Sequence, residues 1–114
     1  MAQDNFEELH KALSAEYREG VPGRLAELDR LWGEFLKSSA TDTLAAELLT
    51  EIRRHLHSIA GSARTFGLPG LTEAAREAEV FIEPWCETGD PPAPERRAAF
   101  ERLLDALKRS ALQT

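Results

Sequence analysis

One cysteine, Cys86, stands in the whole chain. An intramolecular disulfide is therefore impossible and a thiolate zinc set cannot be assembled. A reducing, cytoplasmic setting is the simplest expectation. No window approaches 18 consecutive apolar residues, so no membrane-spanning helix is expected. The opening MAQDNFEELH lacks a basic stretch followed by an apolar one, so a secretory leader is not expected either. Positive charge is in deficit: 14 Lys and Arg face 20 Asp and Glu, for a net charge of −6. That sign repels nucleic acid and anionic lipid, and argues against either as the main partner. Sustained period-two alternation is missing and β-branched residues are few, which excludes a sheet. There is no Gly-rich phosphate loop and no clustered carboxylate set. The chain is thus expected to hold no nucleotide, cofactor or metal of its own.

What remains is helical. Ala, Leu, Glu and Arg dominate, 42% of the residues are apolar, and 114 residues suit one domain spanning 1–114. Phe6, Leu9, Leu13 and Tyr17 recur at helical spacing over 4–19, with Asp4 as a capping residue and Gly20 as a stop. Pro22 suits the first turn of a second helix, whose stripe is Leu25, Leu28, Trp32 and Phe35 and whose end lies near Ser38. SATDT is a polar connection. A proline-free segment follows over 43–66, about 36 Å long, with Leu48, Ile52, Leu56, Ile59, Ala63 and Phe66 on one stripe. Gly67 and Pro69 mark a tight break. A further helix uses Leu71, Ala75, Ala78, Ile82 and Trp85, and Pro84 is expected to end or kink it near Ile82 or Glu83. After the loop ETGDPPAP, a last helix spans 94–112 with Phe100, Leu103, Leu104 and Leu107 inward. The pattern predicts an all-α, up-down four-helix bundle with an additional short N-terminal helix.

One histidine breaks the pattern of the 43–66 helix. At about 100° per residue from Ile52, the stripe residues stay within about 40° and His57 falls near 140°. Its imidazole is expected in solvent. The helical neighbours of His57 are Arg53, Arg54, Ala60 and Gly61. A glycine inside a helix costs about 1 kcal/mol relative to alanine. Here it clears the space on the C-terminal side of the ring, and Ala60 is expected to widen the opening. Arg53 and Arg54 add positive charge, and Arg64 lies nearly two turns along the same face. A neutral imidazole has a free lone pair at pH 7 and attacks phosphorus without a general base. Phosphoryl transfer depends mostly on positioning and on neutralising oxygen charge, which arginine does well. With no nucleotide or metal site in the chain, a partner has to supply the rest.

The run His57-Ser58-Ile59-Ala60-Gly61-Ser62-Ala63-Arg64-Thr65-Phe66-Gly67 resembles the signature of the histidine phosphotransfer (HPt) domain family. That signature has an aliphatic residue two after the histidine, glycine at four and a small residue at six. An aromatic or aliphatic residue and a glycine follow at nine and ten. Ile59, Gly61, Ala63, Phe66 and Gly67 match in order, and Leu71 fits the apolar position that follows. The resemblance implies a four-helix bundle, usually monomeric, with His57 phosphorylated. It also implies exchange with an aspartate of a response-regulator receiver domain, or of a hybrid histidine kinase, with magnesium bound by the receiver. Many members carry Lys three residues after the histidine. Here Ala60 stands there, so either Arg53, Arg54 or Arg64 is expected to supply the charge or transfer is expected to be slower.

The same departure keeps open a non-catalytic helical module that docks on a receiver or kinase without phosphoryl transfer. A kinase dimerisation domain fits less well, because Ser58 rather than an acidic residue follows His57. His55, at the edge of the stripe, and His10, on the apolar side of the first helix, are expected to be structural. Two histidines two apart on a helix point about 200° apart and cannot chelate one ion. Trp32 and Trp85 are expected as core anchors, and Cys86 as inert.

Overall fold

The computed structural model describes residues 2–38, 43–88 and 92–113. It contains α1 (Ala2–Lys37), α2 (Thr43–Thr65), α3 (Pro69–Thr88) and α4 (Pro94–Leu112), and no strand among the described residues. Tyr17 of α1 reaches the Ile59 carbonyl and Arg24 reaches Ser58, so α1 and α2 run antiparallel. Leu49 lies by Cys86 and His57 by Glu79, which makes α3 antiparallel to α2. Asp29 with Lys108 and Trp32 with Glu101 close α4 onto α1. The all-helical bundle expected from the periodicity is thus the observed fold. SATDT falls mostly outside the described residues, as does the middle of ETGDPPAP.

The break between α2 and α3 follows from local chemistry. Gly67 takes φ +70, the left-handed region that a side chain disfavours. The Gly67 N–H donates to the Arg64 carbonyl at 3.2 Å, and the Leu68 N–H donates to the Ala63 carbonyl at 2.9 Å. This pair of bonds is a Schellman closure, and it satisfies carbonyls that the helix end leaves open. Pro69 then opens α3, where its missing N–H costs nothing. Phe66 is therefore in the turn rather than on the α2 stripe, and its ring stacks on Tyr17 at 5.0 Å.

The short N-terminal helix does not exist as a separate element. The two expected segments, 4–19 and 22–38, merge into one helix of 36 residues, Ala2–Lys37, with Gly20 and Pro22 inside it and the backbone already helical at Asp4. Magnitudes explain why. Pro and Gly in a helix interior cost about 3 and 1 kcal/mol relative to Ala. Tyr17, Val21 and Leu25 are all buried across the break, and each such side chain stabilises by about 1.5–3 kcal/mol. The stripe that must pack continues in phase through residues 17, 21, 25 and 28, so tertiary burial overrides the stop. Pro22 and Arg18, whose carbonyl has lost its donor, are both exposed, so water can satisfy that oxygen.

Phe6, Leu9 and Leu13 were expected inward, yet they are 69%, 58% and 43% exposed. Helix α1 is about 54 Å long at 1.5 Å per residue and α2 about 34 Å. The molecule accordingly measures 59 × 23 × 20 Å. The first turns of α1 outrun the α2–α3 turn, and their apolar stripe has no helix to meet. His10, at the base of this overhang, is exposed and keeps one ring contact, to Phe66 at 5.9 Å.

Helix α3 likewise continues past its expected end, to Thr88, with Pro84 inside and exposed. The burial of Trp85 carries it through. Trp85 packs with Trp32, Phe81 and Phe100 at ring distances of 6.4, 5.5 and 5.8 Å. Both tryptophans are core residues, as anticipated, while Leu103 is only half-buried. Pro22→Ala should restore a hydrogen bond on an exposed turn with no packing loss. We expect about 1–3 kcal/mol of added stability, read as a raised urea midpoint at constant m-value. A lowered midpoint would show that α1 is not continuous there.

Candidate functional site

His57 stands on the outer face of α2 with its side chain 79% exposed, as the wheel geometry predicts. Its ring is not free to turn. Nδ1 lies 2.8 Å from Oε2 and 3.3 Å from Oε1 of Glu79, which projects from α3 and is itself only 13% exposed. An ionised carboxylate only accepts, so Nδ1 must carry the proton and donate. In the neutral ring the lone pair is then on Nε2, directed away from α3. The protein thereby selects one tautomer and one ring orientation, and leaves Nε2 towards solvent.

Gly61 is exposed one turn on, and a Cβ built there would meet no atom within 4 Å. The chain's own packing does not require this glycine, so the clearance it leaves faces outward. Ala60 does not share that face. It is 8% exposed and joins the core, contrary to the expectation that it widens the opening. At about 80° from Ile52 it lies on the α3 side, and packing against α3 extends the buried arc of α2 through Leu49 and Ala60 towards His57.

The predicted cations separate. Arg53, Arg54 and Arg64 are all exposed. Arg54 is held by Glu51 at 2.7 Å. Arg53 and Arg54 line a groove between α2 and α3 together with His57, Glu79, Glu83 and Arg76. Arg64 is not part of that groove. Glu79 and Arg76 were not foreseen, since the sequence contains 20 acidic and 14 basic residues and nothing in it sets the register of α3 against α2. The only hint is that Glu79 directly follows the buried Ala78 and so borders the packed stripe.

His55 lies at the core edge, 3.8 Å from Glu51. Cys86 is half-buried with its thiol toward the Leu49 carbonyl at 3.5 Å. Burial pushes that thiol above its ordinary pKa, and Arg53 only partly offsets the effect. A thiol so placed is a poor nucleophile. Among the described residues no group of three or more His, Cys, Asp or Glu converges as metal ligands.

Nitrogen-15 NMR of His57 above pH 8 should report the Nδ1–H tautomer, and Glu79→Ala should move the ring towards the Nε2–H form. The pair is largely exposed on the histidine side, so its loss should change stability by less than about 1 kcal/mol. An unmodified protein already in the Nε2–H form would overturn the assignment.

The geometry agrees with a comparison of the chain with known families. The family described as the Hpt domain matches residues 2–110. No curated protein matches the chain, and no solved structure does. The family match spans all four helices and includes the exposed histidine and the glycine that clears its face. The chain belongs to the Hpt domain family, whose members serve histidine phosphotransfer in two-component phosphorelays and interact with receiver domains and kinases.

Proposed function

We propose that this chain carries a phosphoryl group on Nε2 of His57 and exchanges it with the aspartate of a receiver domain. The observation that carries the reading is the Nδ1 contact to Glu79, which leaves a solvent-facing lone pair on Nε2. In the forward step that lone pair attacks the phosphorus of the receiver's aspartyl phosphate. The Nε2–P bond forms, the carboxyl O–P bond breaks, and the electron pair leaves with the aspartate carboxylate. The ring keeps its Nδ1 proton, and the positive charge it gains is offset by Glu79. The reverse step returns the phosphoryl group to an aspartate by the same path. Magnesium, which neutralises phosphoryl oxygens in such transfers, is contributed by the receiver. A receiver on a hybrid histidine kinase is an equally suitable donor.

Approach of the partner requires open space over the ring, which Gly61 leaves. An apolar patch for docking is available on the α1 overhang at Phe6, Leu9 and Leu13. This end of the molecule is the one nearer His57, since the overhang begins alongside Phe66.

Incubation with a phosphorylated receiver should place one acid-labile phosphate on the chain, located on His57 by mass spectrometry. His57→Gln should abolish it, and a His57→Gln protein that still accepts phosphate would refute the proposal. If His57→Ala regulates the partner as well as the unmodified chain, the module docks without transferring. Gly61→Ala separates stability from transfer. An exposed helical Ala in place of Gly should add about 1 kcal/mol. A methyl in the approach path should slow transfer by tenfold or more, since small misplacements cost about a hundredfold in such reactions. Unchanged transfer in Gly61→Ala would remove the role given to the clearing.

A further inference from the structure

A phosphoryl group on Nε2 adds two negative charges to an already acidic protein, and it needs a cation within contact distance. Helix α2 itself offers little on the open side of His57, where the next turn is Ala60 and Gly61. Towards the other end, Arg54 is engaged by Glu51. Arg53 borders the groove nearer Cys86, whose thiol feels its charge, and Glu83 and Glu87 line that same end. That leaves one further groove cation, Arg76 of α3. It is exposed and, like Arg53, forms no ion pair with a carboxylate among the described residues. It lies one turn from Glu79 on the same helix. Following the antiparallel register set by His57 with Glu79 and Leu49 with Cys86, Arg76 falls alongside Ala60.

We propose that Arg76, delivered from α3 beside the small Ala60, is the cation that binds the phosphoryl oxygens of phosphorylated His57. This rests on the phosphoryl-carrier reading above. Helix α3 then supplies both charges that the nucleophile needs: Glu79 on the Nδ1 side of the ring, and Arg76 for the oxygens on Nε2. They stand three positions apart, so their side chains rise from one face of α3 about one turn apart. Arg76 also borders the groove on the other side of α3, beside Phe81 and Leu103. From that ridge its long, rotatable side chain can swing onto His57 once the phosphoryl group arrives.

The test uses the full chain phosphorylated chemically with phosphoramidate and, separately, by a phosphorylated receiver. Phosphorus-31 NMR then follows the second ionisation of the phosphohistidine against pH. A bound guanidinium favours the dianion, so Arg76→Ala should raise that midpoint by about half a unit or more. Arg76→Lys should recover part of the shift, and Arg53→Ala should leave it in place. Receiver-to-His57 transfer should fall about tenfold in Arg76→Ala. A titration of Arg76→Ala that coincides with the unmodified chain, with phosphate on His57 in both, would overturn the role of Arg76 and leave the carrier reading intact. A shift in Arg53→Ala alone would assign the cation to α2 instead. Absence of phosphate on His57 from both donors would overturn the carrier reading and this inference together.

Discussion

The packing of α2 against α3 is the constraint on which the rest of this molecule depends. Ile52, Leu56, Ile59 and Ala63 on one side and Leu71, Ala75, Ala78 and Ile82 on the other are almost fully buried. Three of these eight residues are alanines, which let two helices approach closely. The tight turn at Gly67 sets the start of the hairpin, and the register that follows brings Glu79 to the His57 ring. A slip of one residue would rotate the carboxylate by about 100° and leave the imidazole free to turn. The orientation of the His57 ring is therefore a property of a helix pair. The histidine alone does not have it.

The remaining helices support that pair without entering the site. Tyr17 ties α1 to the turn of α2 just past His57, through its hydroxyl donating to the Ile59 carbonyl and its ring on Phe66. Burial pushes its phenol above the ordinary tyrosine range, with Arg24 opposing, so the group stays protonated and able to donate. The aromatic cluster of Trp32, Phe81, Trp85 and Phe100 holds α1, α3 and α4 together at the far end. With the helices tied together in this way, the face around His57 stays open.

Helices α1 and α3 both continue through local stop signals, and for one cause. Gly20, Pro22 and Pro84 carry local stop signals worth a few kcal/mol, and each lies where buried side chains on both sides hold the helix in phase. Pro69 and Pro94, at first helical positions, oppose nothing, and helices begin there. The inward placement of Phe6, Leu9 and Leu13 failed for a related reason. Periodicity shows that a stripe exists on α1, but not whether another helix is long enough to cover it.

Periodicity, turn chemistry and a single off-stripe histidine were enough to establish an all-helical bundle, the α2–α3 break and the outward direction of His57. Each of these is local: it depends on residues within a few turns and on the fixed 3.6-residue repeat. Pairing across helices is not local. Glu79 and Arg76 look like any other charged surface residues until α3 is docked, and Ala60 looks like part of the open face until that docking buries it. Tertiary structure alone decided which acid orients the ring and which cations share its groove, because the relative register of two helices is set by how their buried side chains interlock.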